Sequence, residues 1–200
     1  MPQKLWWYVA RAGGLTAWWL ITASVIWGLL LSTRVANGKP RPAWLLDLHR
    51  FLGALAVVFT AIHVGGLVAD SWSHFGWSQV LVPLTSSWRP VAVAWGVVAF
   101  YVLLAVEASS LLVRHLPRRL WRAVHRASFG LFVLAGAHAL TAGSEAGNPA
   151  VRWSAVLASG IVGSLVVYRL ARPRRLTRSR PPRPPHTSAT AAPLAGRPTR

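Results

Sequence analysis

Two long apolar runs, each carrying two histidines, constrain this chain more than any other feature of its sequence. Residues 44–69 and 119–142 are each long enough to cross a bilayer as a helix, which takes about 20 residues. The first run carries His49 and His63, fourteen residues apart, and the second carries His125 and His138, thirteen apart. At 1.5 Å of rise per residue, these separations are roughly 21 and 20 Å. Two such helices side by side present two facing histidine pairs, one near each membrane surface.

Matched pairs of histidines in membrane helices indicate a cofactor. Ionisable side chains are costly inside a bilayer and mark functional sites, and imidazole is an axial ligand of heme iron. We predict two stacked, non-covalent b-type hemes, one held by His49 and His125 and the other by His63 and His138. The alternative is a heme-free structural or transport protein in which the histidines only hydrogen-bond between helices. The absence of cysteine excludes thiolate ligation, iron–sulfur clusters and covalent c-type heme.

Three further apolar stretches complete a predicted all-α integral membrane bundle. The composition supports this class, because 54% of the residues are hydrophobic and only four are acidic. We predict five transmembrane helices, at residues 8–32, 44–69, 90–113, 119–142 and 152–171, and an interfacial tryptophan-bearing segment at 70–89. Residues 1–171 form one domain in this interpretation. Residues 172–200, rich in arginine and proline, form a disordered basic tail.

The distribution of positive charge predicts the orientation. Lysine and arginine concentrate in the 33–43 loop, in the turn before the fourth helix and in the tail, whereas the alternate loops hold few. By the positive-inside rule, the amino terminus lies outside and the tail lies in the cytoplasm. Nucleic-acid binding is the competing interpretation of a net charge of +18, but no aromatic-rich soluble domain accompanies that charge. We therefore expect a lipid membrane and no nucleic acid as the partner.

One detail departs from an ideal helix. Fourteen residues make about 3.9 turns and return to nearly the same face, whereas thirteen make about 3.6 turns and do not. We therefore expect a kink or local irregularity in the fourth helix, near Gly130 or Gly136.

An arginine follows the first histidine of each helix. The guanidinium groups of Arg50 and Arg126 match a heme propionate in a bidentate manner. The alternative is that both side chains reach lipid phosphates.

Three motifs give the chain a resemblance to a known family. They are the two double-histidine helices, the W-R-x-x-H-R segment from Trp121 to Arg126, and the Arg-Ala-x-Gly segment from Arg11 to Gly14. The chain resembles the ferric reductase-like transmembrane domain of NADPH oxidases, ferric reductases and the heme subunit of bacterial methionine-sulfoxide reductase. The resemblance implies that the four histidines ligate the hemes, that Arg11 lies near the outer heme, and that the membrane is a bacterial plasma membrane.

The same resemblance implies an electron-transferring oxidoreductase component. No G-x-G-x-x-G phosphate loop is present, so we expect the flavin or nicotinamide chemistry of the family to come from a separate protein. A flavoprotein or quinone donor and an extracytoplasmic redox partner are implied. The other heme-based interpretation is a b561-like diheme cytochrome that ascorbate or quinol reduces without a flavoprotein.

Overall fold

The computed structural model describes residues 3–33, 43–72 and 75–171, and the regular structure in these ranges is entirely helical. The helices are α1 (Gln3–Thr33), α2 (Ala43–Ala69), α3 (Trp77–Leu81), α4 (Pro90–Leu111), α5 (Arg118–Arg126), α6 (Ser128–Thr141) and α7 (Pro149–Ala171). The predicted tail at 172–200 lies outside the described residues, as do residues 34–42 of the first loop.

Five helical segments within the described ranges are long and apolar enough to cross a membrane. They are Lys4–Thr33, Ala43–Ala69, Pro90–Leu111, Arg118–Thr141 and Pro149–Ala171. The predicted all-α bundle of five membrane helices is confirmed. The first span begins at Lys4 rather than at residue 8, and the third ends at Leu111 rather than at residue 113.

The first helix is central to the bundle. α1 packs against α2, α6 and α7, while α4 packs against α6, α5 and α2. Buried side chains from four spans form what we call the central apolar layer: Ile21, Ala56, Ala99, Leu103 and Leu131. A second buried cluster joins α1, α6 and α7: Val25, Leu29, Phe132, Ala158 and Val162. Lipid tails are as apolar as these side chains, so van der Waals packing rather than the hydrophobic effect stabilises the bundle.

The fourth span is interrupted at Ala127, between α5 and α6. The Ala127 N–H donates to the Val124 carbonyl at 2.9 Å, an i to i−3 bond that tightens the turn. A 3₁₀ turn takes about 3.0 residues rather than 3.6, so it offsets part of the rotation that thirteen residues lack. The expected irregularity is present; it lies at Ala127, three residues before Gly130, and neither Gly130 nor Gly136 itself forms the turn. Ala127 keeps right-handed helical angles (φ −63°, ψ −12°), so the turn needs no glycine.

The segment between the second and third spans carries a short helix and exposed tryptophans. Trp72 is 85% exposed, and Trp77 and Trp88 are also exposed. The Tyr101 hydroxyl of α4 donates to the Leu81 carbonyl at 2.7 Å and fastens this segment to the bundle. Exposed tryptophans beside a span are typical of a membrane–water interface.

Candidate cofactor sites

The structure brings the four histidines together in the two pairs that their spacing predicts. The ring centroids of His49 and His125 are 6.0 Å apart, with the ring planes at 79°. Those of His63 and His138 are 6.3 Å apart, at 74°. Two metal–nitrogen bonds of about 2 Å, plus the distance from each nitrogen to its ring centre, add to about 6 Å. Each pair is therefore spaced to hold one metal atom between its two imidazoles.

The helices that carry these pairs do not pack against each other. α2 packs closely on α1 and lightly on α4, and its backbone lies farther from α5 and α6. The paired rings face each other across this gap, and the central apolar layer fills it midway between the two pairs. The fold thus separates two sites by one layer of buried hydrocarbon.

Hydrogen bonds define the tautomer of two of the histidines. The Nδ1 atom of His63 lies 2.7 Å from the Ala10 carbonyl oxygen, and that of His138 lies 2.8 Å from the Ala92 carbonyl oxygen. A carbonyl oxygen only accepts, so Nδ1 carries the proton in both rings. The Nε2 atom of a neutral imidazole then keeps its lone pair, which is the form that binds a metal.

Each of these two rings lies directly against a glycine of the neighbouring helix. A Cβ atom on Gly14 would come within 2.8 Å of the His63 Nδ1 atom, and one on Gly96 within 2.6 Å of the His138 ring. Each glycine follows by four residues the residue whose carbonyl accepts the bond. Side chains at i and i+4 lie on the same helix face, so the missing side chain exposes that carbonyl to the ring.

His49 also has a hydrogen-bond partner at Nδ1 and a glycine against its ring, but here a partner is a side-chain hydroxyl. Its Nδ1 atom lies 3.3 Å from the Ser24 hydroxyl oxygen. Its ring lies against Gly28, where a Cβ atom would come within 3.1 Å of the His49 Cε1 atom. Ser24 and Gly28 are again four residues apart on α1, so one face of α1 contacts both histidines of α2.

His125 differs from the other three. Its Nδ1 atom is buried and has no hydrogen-bond partner among the described residues. Its ring stacks on Trp121, one helical turn earlier, with centroids 5.2 Å apart and planes at 22°. The Trp121 indole N–H is also buried and unpartnered in this part of the chain.

A cavity of about 510 Å³ opens between the helices at the His63–His138 pair. Both histidines line it, together with mostly apolar and aromatic side chains such as Trp18, Phe100 and Leu131. Pockets that bind cofactors and other small molecules have volumes of about 300–1,000 Å³ and are lined mainly by such side chains. The size and lining of this cavity therefore suit a cofactor-sized, largely apolar ligand.

Arg11 lies at the same cavity and forms an ion pair with Glu145. The resemblance to the family placed Arg11 near this histidine pair, but nothing in the sequence pointed to Glu145. The turn between α6 and α7 brings Glu145 back to α1, where it also accepts a hydrogen bond of 2.9 Å from the Asn148 amide.

Arg50 and Arg126 lie on the exposed surface. Arg50 pairs with Asp47 at 3.5 Å, with both side chains about two-thirds exposed at 66%. The Arg126 Nε atom donates to the Arg122 carbonyl at 3.2 Å. Neither of these bonds involves a histidine, so the propionate and lipid interpretations of both arginines stay open as proposals.

The donor set at each pair consists of two imidazoles. Within the described residues, no group of three or more His, Cys, Asp or Glu side chains gathers in a way that could hold a bare metal ion. A structural zinc site takes four protein ligands, whereas heme iron takes only axial ligands from the protein. The residues present therefore fit a heme with two axial histidines at each pair.

Comparison with known families adds an independent finding. The model of the family described as "Ferric reductase like transmembrane component" matches residues 13–136. The match covers more than half of the chain and includes His49, His63 and His125, ending just before His138. Searches of curated proteins and of solved structures return no match. The chain belongs to the ferric reductase-like transmembrane component family.

Proposed function

We propose that this membrane electron-transfer component is a diheme b-type protein that passes electrons across the bilayer between a separate donor and a separate acceptor. One observation carries the proposal: two histidine pairs, each about 6 Å between ring centroids, lie at two levels of the same gap. Membership of the family supports a membrane electron-transfer component independently. Heme supplies a reversible one-electron iron couple when it is bound.

The protein's own residues hold and insulate the two sites. The four histidines would hold the two hemes, and the Ala10 and Ala92 carbonyls orient the rings of His63 and His138 so that Nε2 is free to bind. The central apolar layer keeps water out of the space between the sites, so a charge that crosses it moves through hydrocarbon and side chains. No side chain acts as a general acid or base in this function, because outer-sphere electron transfer breaks no bond to hydrogen.

The proposal includes an orientation in a bacterial plasma membrane. The exposed arginines of the α4–α5 turn face the cytoplasm, together with the 172–200 tail, and the amino terminus lies outside. Residues 1–171 act as one heme-binding domain. His49 and His125 then form the cytoplasmic site, and His63 and His138 form the outer site.

Electrons enter at the His49–His125 pair in this scheme. A groove beside it is lined by three arginines and by Trp121, the residue that stacks on His125: Arg114, Arg118, Arg122 and Trp121. None of the four acidic residues of the chain lines this groove, although Asp47 and Glu107 lie at the same end of the bundle. The positive charge of the groove therefore favours a negatively charged donor, such as the acidic surface of a flavoprotein, over a neutral quinol. The outer pair delivers electrons to an extracytoplasmic redox partner.

The first experiment measures heme in the purified protein. We expect two low-spin b hemes per chain by the pyridine hemochrome assay, released by acid-acetone extraction because neither is covalently attached. A colourless protein that stays colourless after expression with added heme precursor contradicts the proposal and favours the heme-free alternative.

Histidine substitutions test the pairing. His49→Ala and His125→Ala should each remove the same heme, whereas His63→Ala and His138→Ala should each remove the other. Redox titration of the four variants distinguishes the two sites by their potentials. Losses that group by helix rather than by pair would show that the two hemes are not held as proposed.

The b561-like alternative predicts a different donor. Ascorbate or a quinol analogue should then reduce the protein rapidly without any flavoprotein. We expect reduction by a neutral quinol analogue to be slow, because the positive charge of the groove beside His125 does not attract a neutral reductant.

A further inference from the structure

Three of the four histidines are held by the same two-residue device on a neighbouring helix. In each case a hydrogen-bond partner of Nδ1 is followed, four residues later, by a glycine that contacts the ring. The three devices are Ala10 with Gly14 for His63, Ser24 with Gly28 for His49, and Ala92 with Gly96 for His138.

The two devices on α1 are spaced to match the histidines of α2. Ala10 and Ser24 are fourteen residues apart, as are His49 and His63. α1 and α2 run antiparallel, so the later device on α1 meets the earlier histidine on α2. The register between these two helices thus serves both sites at once.

The devices differ in the chemistry of the acceptor. At His63 and His138 the acceptor is a backbone carbonyl. A substitution at Ala10 or Ala92 would therefore leave the acceptor in place. At His49 the Ser24 hydroxyl oxygen lies 3.3 Å from Nδ1, and the Ser24 backbone also bonds to the ring, so a single substitution removes the hydroxyl contact and leaves the backbone one. A metal-binding Nε2 leaves the proton on Nδ1, so the serine oxygen accepts this bond.

The fourth position has no such device. α4 runs antiparallel to the fourth span, so the positions that correspond to Ala92 and Gly96 for His125, thirteen residues before His138, are Ala105 and Ser109. Ser109 is no glycine, and its hydroxyl donates to the Val106 carbonyl of its own helix at 3.0 Å. Stacking on Trp121 is the contact that orients the His125 ring.

We propose that Ser24 and Trp121 are the positioning residues of the His49–His125 site, and that the Ser24 hydroxyl lowers the reduction potential of a heme bound there. This inference rests on the proposed function. An acceptor on Nδ1–H makes the imidazole more basic, and a more basic axial ligand stabilises the ferric over the ferrous state. At the site that we place on the donor side, side chains thus help to orient both histidines, whereas at the other site backbone carbonyls accept both Nδ1–H bonds.

The test of Ser24 is a spectroelectrochemical titration of the heme-loaded protein. Ser24→Ala should shift the midpoint potential of the His49–His125 heme upward and leave the other heme unchanged. Ser24→Thr restores a hydroxyl and should return the potential towards that of the unmodified protein. Ser32→Ala is the matched control on the same helix, because the Ser32 hydroxyl donates only to the Leu29 carbonyl, at 2.8 Å.

The test of Trp121 uses low-spin ferric EPR, which reports the relative orientation of the axial rings. Trp121→Leu should change the g values of the His49–His125 heme alone, and Trp121→Phe, which keeps an aromatic face, should preserve them more closely. Trp153→Leu, at an exposed position on α7, is the control.

The outcomes separate this inference from the proposed function. Absence of heme from the unmodified protein defeats the proposed function. Two bound hemes with no potential shift in Ser24→Ala, or with an equal shift at both, overturn the inference alone. If Ser24→Ala loses one heme, recovery of that heme in Ser24→Thr supports the positioning role, and failure to recover it overturns the role.

Discussion

Three of the four histidine rings lie so close to a glycine of a neighbouring helix that a Cβ atom there would crowd the ring. Gly96 lies so near to His138 that even a methyl group at that position would come within 2.6 Å of the ring. Gly28 is less tight against His49, at 3.1 Å. Since helix interiors disfavour glycine by about 1 kcal/mol relative to alanine, these positions are kept at a local cost to helix stability.

Gly96→Ala should therefore displace the His138 ring from the Ala92 carbonyl and lower heme occupancy at the His63–His138 site severalfold. The other heme should remain. Gly163→Ala on α7 is the control, because a Cβ atom there meets nothing within 4 Å, and alanine should be neutral or slightly stabilising. Heme content by pyridine hemochrome, with thermal unfolding as a check on the fold, measures both effects. Full occupancy of both sites in Gly96→Ala would contradict the role assigned to this glycine.

The sequence predicted which histidines lie together but not the residues that hold them. The pairing of His49 with His125 and of His63 with His138 follows from the fixed rise of a helix, which is a local property. Ser24 and Glu145 reach their partners only through the packing of α1 against α2 and of the α6–α7 turn against α1. Such contacts depend on the register between helices, which no spacing within a single span reveals.

At the scale of the elements, the fourth span consists of two helices, of which only the second is packed into the core. α6 buries Leu131 and Phe132 in the bundle, whereas α5 buries no residue. The tight turn at Ala127 sets the rotation of one part relative to the other. The sequence predicted that some irregularity was needed, because thirteen residues do not return to the same face. It did not single out Ala127, because a 3₁₀ turn in right-handed helical conformation leaves no glycine or proline signal.

Insertion of one alanine between Ala127 and Ser128 tests this division. One residue adds about 100° of rotation and 1.5 Å of rise, and α5 should take up the change because α6 is anchored in the core. We expect heme content to fall from two to one per chain, with loss of the heme at His49 and His125. The same insertion after Gly147, in the exposed turn before α7, should leave both hemes in place. Loss of the His63–His138 heme instead would show that α6 moves and α5 does not.

At the scale of the whole molecule, positive charge is concentrated at one end of the bundle. The α4–α5 turn presents exposed arginines beside the Trp121–His125 stack, and the two acidic side chains at this end, Asp47 and Glu107, do not line the groove there. The competing explanation is that these arginines only bind anionic lipid and set the topology. A matched pair of reductants separates the two explanations.

Reduced flavin mononucleotide and reduced riboflavin differ by one phosphate group. At low salt we expect the phosphate-bearing flavin to reduce the protein faster, by up to about tenfold, because the arginines attract its charge. The ratio should fall in the Arg118→Gln, Arg122→Gln double variant and at high salt. Arg152→Gln, at the start of α7 and the other end of the bundle, is the control. An unchanged ratio in the double variant, measured by stopped flow, would leave lipid binding as the role of these arginines.

The central apolar layer has an electrical consequence. The two histidine levels are roughly 21 Å apart along α2, about two-thirds of a hydrocarbon core of about 30 Å. An electron that crosses the layer therefore moves through most of the membrane field, in which a full crossing is worth about 2.3 kcal/mol per 100 mV. About two-thirds of that value, roughly 1.5 kcal/mol, corresponds to a tenfold change in the distribution of the electron between the sites. With the cytoplasm negative, the resting potential drives electrons outward. It therefore favours electron transfer from the cytoplasmic site to the outer site, the direction that we propose.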